Sequence, residues 1–371
     1  MQMTKEHEMF LDLLRYVLGN SDKCGEMDAG QWKDMYAIAQ QHKLAAAMLG
    51  KLKALPCGPD EDTVLDWTAD ALLTIRESRQ VTKNVAGVVR QFEKMGYECC
   101  LLKGQGNALM YPNPEERTPG DIDIWLRSKG SRGEYDERAV EEDTRRIIAL
   151  VRKAKPGAKA CYHHIDCSEY KGTEVEIHYR PQFVEDLQRN TLLQKFFFDM
   201  ADSQFANKVA LGDARIAVPT PLFNIVMQLS HMQHHLLVEG IGLRHVMDYY
   251  YLLTTQAIPH SADYDRLLGR LGLNHTAGAL MWILTEKLGM DYRKCIVEPD
   301  MRRGRFMLQE IMLGGNFGSY DSRFSFGHDA KGHNLGRLWR DVRMMGLWPR
   351  EASAEPVYRL WHAWWRRKHR A

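Results

Sequence analysis

The sequence lacks long apolar runs, a strong net charge and any regular array of cysteines. None of its apolar runs approaches the ~20 residues that a helix needs to cross a bilayer, so we expect no membrane partner. The polar start MQMTKEHEMF lacks the apolar core of a secretory signal. Seven cysteines, an odd number without regular spacing, indicate reduced thiols and a cytoplasmic location. A net charge of +2 gives no overall signature of polyanion binding.

The 371 residues and the apolar share of 44% are typical of a globular chain long enough for two domains. Helical periodicity runs through residues 1–96 and again through 219–371, and β-type patterns occupy 97–218. We therefore predict an α+β fold with three parts: an N-terminal helical region, a small α/β core and a C-terminal helical domain.

Two stretches of the helical pattern are distinctive. A long helix is predicted over 62–95, with Leu72, Val85, Phe92 and Met95 on its apolar side and a glycine stop after it. A charged amphipathic helix is predicted over 134–154. The helices of the N-terminal region are expected to serve as scaffold, because apolar stripes at this period normally face a core.

The basic C-terminal tail interleaves Trp361, Trp364 and Trp365 with arginine and lysine. We expect an amphipathic terminal helix that docks its tryptophans and leaves a basic end in solvent. The alternative is a surface for single-stranded nucleic acid or for a membrane, since both bind aromatic side chains interleaved with cations.

The core opens with a short apolar strand over 97–102 that runs into Lys103 and Gly104. Glycine lets a backbone approach a phosphate closely, and backbone N–H groups at a following helix start bind anions. A second strand is predicted over 121–126. Asp121 and Asp123 should share one face of it, with isoleucines on the buried opposite face, because strand side chains alternate. The aspartates are therefore expected on an exposed face.

A third acidic residue is expected from a later strand over 175–179. Glu176 lies within the apolar alternation of that strand, and Glu174, two residues earlier on the same face, is the competing candidate. Hairpins are predicted around 171–172 and 212–213, where glycine supplies the turn. Because neighbouring strands lie ~4.8 Å apart, a carboxylate here can face the first two across the sheet.

Three carboxylates beside a glycine turn are the groups that metal-assisted nucleotidyl transfer needs. Asp121, Asp123 and Glu176 would hold two divalent cations, Mg²⁺ or Mn²⁺, and Glu176 would also help to deprotonate an acceptor hydroxyl. Lys103 would add a positive charge near the phosphates of a nucleoside triphosphate.

Several other residues could belong to the site. Arg117 and Arg180 flank the acidic strands and could clamp phosphates, although each could equally be a surface arginine. His231 and His235 are four apart on a helix; we favour interhelical packing or lining of the cleft over zinc binding. For Arg244, an i,i+4 salt bridge with the acidic residue at 248 is the default interpretation.

These motifs resemble those of the nucleotidyltransferase superfamily, in which a glycine turn precedes an acid-x-acid strand and a third acid lies on a nearby strand. More narrowly, the chain is similar to a bacterial nucleotidyltransferase family with a Leu-Lys-Gly turn, an Arg before an Asp-Ile-Asp strand and an acid-x-His strand. The corresponding residues are Lys103 and Gly104, Arg117, Asp121 to Asp123, and Glu176 to His178.

The resemblance implies a small mixed sheet with packed helices, magnesium as cofactor and a nucleoside triphosphate, such as ATP, as donor. We expect Lys103, Gly104, Gln105, Arg117 and Arg180 to contact the donor. Where the superfamily commonly has serine after the turn glycine, this chain has Gln105. The sequence does not identify the acceptor, which could be a small molecule, a protein or RNA. The alternative function is a non-catalytic module that binds a nucleotide, RNA or a protein.

Overall fold

The computed structural model describes residues 3–52, 55, 58–130, 135–258, 263–321, 323 and 330–369. Helices dominate both ends of the chain, and a sheet occupies the middle. The α-helices are α1 (Lys5–Val17), α2 (Ala29–Gln41), α3 (Ala45–Leu52), α4 (Glu61–Lys94), α5 (Gln105–Ala108), α6 (Glu137–Ala154), α7 (Leu187–Asp199), α8 (Ala201–Ala206), α9 (Pro221–Val238), α10 (Leu243–Thr255), α11 (Asp263–Leu271), α12 (Asn274–Trp282), α13 (Met301–Gly314), α14 (Ala330–Met344) and α15 (Pro349–Lys368).

Six strands form one mixed sheet in the order β3-β4-β2-β1-β6-β5. The strands are β1 (Tyr97–Leu101), β2 (Ile122–Ser128), β3 (His164–Asp166), β4 (Val175–His178), β5 (Lys208–Leu211) and β6 (Ala214–Ala217). β1 and β2 are antiparallel, whereas β2 pairs with β4, and β1 with β6, in parallel. The expectation of an α+β fold with a small mixed sheet between helical regions is confirmed.

The sheet separates two hydrophobic cores, and alternation along the strands assigns side chains to them. Ile122 and Ile124 of β2 join the core formed with α4 and α6, and Trp125 joins the other core, with Phe223 of α9. That second core continues into the N-terminal helices. One face of the sheet therefore lies against α9.

Both predicted hairpins form, each closed by a glycine with positive φ. β3 and β4 are antiparallel and turn through Lys171 and Gly172, and β5 and β6 turn at Gly212. The bridge between Tyr170 and Thr173 closes the first turn. These turns set the register of the edge strands.

The long helix α4 covers the expected residues, but part of its predicted apolar stripe was wrong. Val85 and Phe92 are buried, as expected, whereas Leu72 and Met95 are exposed. The first turns of α4 bury Trp67 and Ala71 instead, against α3 and the other N-terminal helices. The other predicted helix begins at Glu137, and its predicted start at 134 lies outside the described residues.

The C-terminal helix α15 docks part of its tryptophan stripe. Trp365 is buried and Trp361 half-buried against the core on the α4 side of the sheet, whereas Trp364 is exposed. The basic residues 366–368 are exposed at the end of this helix. In the part of the chain that the structure describes, no helix combines the length and apolar character required for a membrane span.

Candidate functional site

Two acidic side chains lie side by side on the face of the sheet that meets α9. β2 and β4 run parallel in a register that pairs Asp123 with Glu176. The flanking isoleucines of both strands are fully buried on the opposite face. Because side chains on one face of paired strands are neighbours, Asp123 and Glu176 are adjacent.

Asp123 is buried, contrary to the expectation of an exposed pair. Its side chain is 8% exposed, and its Oδ1 lies 2.9 Å from Lys103 Nζ and 3.1 Å from His178 Nε2. Burial alone would raise the pKa of Asp123, but the Lys103 ammonium and the His178 hydrogen bond hold that pKa well below its usual range. Asp123 therefore stays ionised within a charged network.

Asp121 has the opposite surroundings. It precedes β2, which begins at Ile122, and its side chain is exposed at the rim of a cavity. Loss of hydration raises the pKa of Asp121 to about 6, and the negative charges of Asp123 and Glu176 add to this effect. A carboxylate repelled in this way is a candidate to bind a cation.

Glu176 is half-buried between two imidazoles. Its Oε2 lies 3.4 Å from His178 Nε2, and its Oε1 lies 3.6 Å from His164 Nε2. Glu174 is exposed and precedes β4, which begins at Val175. Of the two alternative third carboxylates, Glu176 is thus the one inside the strand beside Asp123.

The oxygen atoms of the three carboxylates are further apart than the ligand atoms of an assembled metal site. Among the described residues, two groups of His, Cys or acidic side chains have ligand atoms within 4.8 Å of one another, and Asp121, Asp123 and Glu176 are not one of them. One group does contain Glu176, together with His164 and His178. The ammonium of Lys103 lies against Asp123 Oδ1, where it neutralises that carboxylate.

The glycine turn after β1 lies directly against the start of β2. Gly104 has φ +61, and a side chain at this position would have its Cβ 3.4 Å from the backbone oxygen of Asp121. Gln105 opens α5, but its Nε2 donates to Ser78 and to Thr82 on α4. Lys103 and Gly104 therefore line the cavity, whereas Gln105 points into the scaffold.

A cavity of about 370 Å³ opens beside Asp121 and Asp123. It draws its walls from the glycine turn, the segment before β2, α9, α10 and the 3₁₀ segment Asn316–Gly318. The lining residues are Lys43, Glu77, Lys103, Gly104, Asn107, Arg117, Thr118, Pro119, Gly120, Asp121, Asp123, Gln228, His231, Met232, Arg244, His245, Asp248, Asn316 and Phe317.

The two predicted phosphate clamps have other partners. Arg117 lines the cavity, but its Nε and Nη2 each lie 2.7 Å from a carboxylate oxygen of Asp248 in a buried pair. Arg180 is fully buried away from the cavity, 3.0 Å from Glu137, with its guanidinium over the ring of Tyr162. Asp248 pairs with Arg117 in place of the i,i+4 partner Arg244.

The wall opposite the carboxylates carries neutral imidazoles and one arginine. Burial holds the pKa values of His231 and His245 well below the usual range. The ring of His231 meets that of His235 edge to face, with centroids 4.3 Å apart, and His231 lines the cavity. The Nη1 of Arg244 lies 3.4 Å from the backbone oxygens of Thr118 and Pro119.

A comparison with known families classifies the chain. A model of the family described as "Uncharacterised nucleotidyltransferase" matches residues 28–289. The chain belongs to this family. The match includes the glycine turn, β2, β4 and the opposite wall as far as α10, but ends before the segment Asn316–Gly318.

The search of curated proteins gave no match for this nucleotidyltransferase-family chain. The crystal structure of an antigenic nucleotidyltransferase-like protein from Paracoccidioides brasiliensis is similar at 11% identity and a TM-score of 0.32. That similarity covers 60% of this chain and 95% of the other.

Sequence reasoning missed most of the polar network behind the cavity. Tyr111 Oη donates to Asp248 Oδ1 over 2.8 Å, and Asn107 Nδ2 lies 3.3 Å from its Oδ2. Asn224 Nδ2 in turn donates to Asn107 Oδ1. One sign of this network is present in the sequence, Asn224, which is a polar residue at the otherwise apolar start of α9. Nothing in the sequence around its partner Asn107 indicates that the two residues meet.

Proposed function

We propose that the protein is a metal-dependent nucleotidyltransferase that moves a nucleoside monophosphate from a nucleoside triphosphate to a hydroxyl or phosphate acceptor and releases pyrophosphate. The observation that carries this proposal is the pairing of Asp123 with Glu176 on one face of parallel strands. Asp123 lines the cavity together with Asp121, Lys103 and Gly104. Family membership supports the same reaction class.

The side chains present fit a hard divalent cation. Asp121, Asp123 and Glu176 offer carboxylate oxygens, which Mg²⁺ and Mn²⁺ prefer. A cation held among the three would offset the loss of hydration and the repulsion that together raise the pKa of Asp121. When bound, such a cation neutralises charge on the attacking and leaving oxygens of an in-line displacement.

The chain's own residues would perform the remaining work. Lys103 and the backbone N–H groups after Gly104 would bind the triphosphate. The acceptor oxygen would attack the α-phosphorus while the bond from that phosphorus to the bridging oxygen breaks, and pyrophosphate leaves. Glu176 would take the acceptor proton, since its carboxylate is held ionised by His178 and His164.

The opposite wall suits the acceptor. Arg244, His231 and Phe317 offer one cation, a neutral imidazole and an aromatic ring, a set able to bind a small polar molecule or the end of a larger one. The proposal therefore divides the cavity between a donor side on the sheet and an acceptor side on α9, α10 and the segment Asn316–Gly318.

The test is transfer of label. The purified protein is mixed with each α-labelled nucleoside triphosphate, magnesium and a cell lysate, and labelled products are separated. We expect a product with wild type and with Asp213→Ala, an exposed aspartate on the β5–β6 turn. We expect none with Asp123→Ala. A wild-type pattern identical to that of Asp123→Ala under all four triphosphates contradicts the proposal.

A second candidate is a protein that binds a nucleotide without turnover. The contact of Lys103 with Asp123 favours it, because the ammonium already neutralises the carboxylate that a cation would need. Calorimetry with a triphosphate and magnesium, run beside a pyrophosphate assay, separates the two. Tight binding without pyrophosphate release supports the second candidate, and release supports the first.

A further inference from the structure

We propose a second metal site, for zinc, formed by Cys161 and His163 in the turn that leads into β3 and by His164 at the start of that strand. This site adjoins the carboxylates of the proposed transfer reaction, because the Nε2 of His164 faces Glu176, but the proposal does not depend on that reaction. Zinc is the metal indicated, because a thiolate and two imidazoles are its usual ligands in proteins.

The three side chains already converge. Cys161 Sγ lies 3.4 Å from His163 Nδ1 and 3.4 Å from His164 Nδ1, and His164 Nδ1 lies 2.9 Å from His163 Nε2. Zn–S bonds of ~2.3 Å and Zn–N bonds of ~2.0–2.1 Å at tetrahedral angles put ligand atoms ~3.3–3.6 Å apart. The two distances from the sulfur match this separation, and one nitrogen of each imidazole lies within 4.8 Å of the sulfur and of the other nitrogen. The 2.9 Å contact uses the other nitrogen of His163 and is not an edge of the site, so side-chain rotation must bring the three ligand atoms onto one ion.

A carboxylate stands behind one of the imidazoles. While Nδ1 of His164 faces the thiol, its Nε2 lies 3.4 Å from Asp166 Oδ1 and 3.6 Å from Glu176 Oε1. Metal-binding histidines typically direct their second nitrogen to a carboxylate, which fixes the tautomer and raises the basicity of the ligating nitrogen. Asp166 is thus placed to hold His164 in the metal-binding tautomer.

The backbone of the turn is held in place. The N–H of Cys161 donates to the carbonyl of His164 over 2.9 Å, the N–H of Tyr179 donates to the carbonyl of His163, and the hydroxyl of Tyr179 donates to the carbonyl of His164. A prearranged ligand set binds metal more tightly than a flexible one, because less entropy is lost on binding. The turn therefore resembles a built site more than a chance meeting of side chains.

Three ligands leave one tetrahedral position open. Among the described residues, the group of converging ligand atoms at Cys161 has three members, each partly exposed to solvent. A water molecule would complete the coordination, as it does in zinc sites that have three protein ligands. The second converging group, His164 with Glu176 and His178, would use the other nitrogen of His164 and contains no thiol.

The experiment uses cobalt and zinc on the purified full chain, with no nucleotide present. Cobalt(II) added to wild type should give tetrahedral visible bands and a thiolate-to-cobalt charge-transfer band, and zinc should remove both at one ion per chain. Cys161→Ser should abolish the charge-transfer band. Cys167→Ser is the matched control, a half-buried cysteine outside the converging group, and should behave like wild type. Asp166→Asn should weaken zinc binding about 10–100-fold.

The proposal is overturned if wild type gives no charge-transfer band. It is also overturned if Cys161→Ser binds zinc as tightly as wild type, because the metal would then belong to the group of His164, Glu176 and His178. Circular dichroism checks that each variant folds. If Cys161→Ser fails to fold, iodoacetamide labelling of wild type decides: bound zinc should protect Cys161 and leave the labelling of Cys167 unchanged. Equal labelling of Cys161 with and without zinc would also overturn the site.

Discussion

Asp121 and Asp123 are two residues apart, but the electrostatic effect of their neighbours is opposite: it favours the charge of Asp123 and opposes that of Asp121. Asp123 is buried and paired with Lys103, whereas Asp121 is exposed and repelled by neighbouring carboxylates. Removing the charge of a buried, paired group leaves the charge of its partner buried without a counter-charge, which destabilises the fold. Removing a charge that its neighbours repel removes an unfavourable interaction. The two aspartates should therefore differ in what they contribute to folding, although both belong to the proposed reaction.

The matched variants Asp123→Asn and Asp121→Asn test this difference. Asp123→Asn should lower the free energy of unfolding by about 3 kcal/mol, because Lys103 and His178 lose their buried partner. Asp121→Asn should leave that free energy unchanged or raise it at pH 7. Urea denaturation followed by circular dichroism measures both free energies. Equal losses of stability in the two variants would show that the contacts of Asp123 with Lys103 and His178 do not stabilise the fold.

Sequence alternation predicted the orientation of these residues but not their burial. The isoleucines beside Asp123 identified the buried face, and the same pattern around Glu176 identified its partner strand. Asp123 contacts Lys103 and shares its cavity with Gln228 and His231 of α9, which come much later in the chain. A pattern within one strand carries no information about what covers its second face.

At the scale of elements, α4 packs differently at its two ends. Its later turns lie on the sheet, and Gly87 there lets the ring of Tyr170 approach the helix. A Cβ on Gly87 would lie 2.7 Å from Cζ of Tyr170, closer than side-chain atoms pack. The β3–β4 turn, which carries Tyr170, is thus held against a helix that begins 109 residues before it.

Gly87→Ala should destabilise the protein by about 1–3 kcal/mol, because the added methyl group overpacks the contact with Tyr170. Gly50→Ala in α3 is the control, since nothing lies within 4 Å of its Cβ position and alanine is the better helix former. That control should stabilise the protein by about 0.5–1 kcal/mol. Thermal unfolding of both variants gives the comparison, and stabilisation by both would refute the close contact.

Helix positions and strand positions were largely predictable, whereas the faces of α4 were not. Its period placed Val85, Phe92, Leu72 and Met95 in one stripe, but only the first two are buried. The helix contacts the N-terminal helices through Trp67 and Ala71 near its start and the sheet near its end. Because α4 packs against different neighbours on different sides, it has no single apolar face that the sequence period could predict.

At the scale of the whole molecule, His42 joins the two helical regions. It follows α2, is fully buried, and its Nδ1 accepts a hydrogen bond from the N–H of Leu243 at the start of α10. Burial lowers the pKa of His42 to about 3. The folded protein therefore keeps this imidazole neutral at pH values where the unfolded chain, with an ordinary pKa near ~6.5, takes up a proton.

Stability should consequently fall as the pH drops from about 6.5 towards 3, because the unfolded chain binds the extra proton there. At pH 5 the loss from one such histidine is about 2 kcal/mol relative to pH 7.5. His42→Asn keeps an acceptor for Leu243 and removes the titration, so its pH-dependent loss should be smaller than that of wild type by about this amount. Parallel slopes for the two proteins in urea denaturation would contradict a neutral His42.

The sequence predicted three successive regions, at 1–96, 97–218 and 219–371, and this division stays a prediction. The hydrophobic core on the α9 side of the sheet contains residues from both helical regions, such as Phe10, Trp32, Ile225 and Tyr249. Contacts between the ends of a chain cannot be read from local periodicity. The buried pair of Arg117 with Asp248 is a second example, because the sequence suggested a local partner for Asp248.

The cavity takes its walls from stretches that are far apart in the chain. Lys103 and Asp123 stand on one side, Arg244 on another, and Phe317 lies beyond the stretch 28–289 that the family shares. Substitutions around Phe317 can therefore reshape the chamber while the acidic strands stay intact. In the proposed reaction this wall belongs to the acceptor side, so proteins that share the acidic strands can still differ in the acceptor that they take.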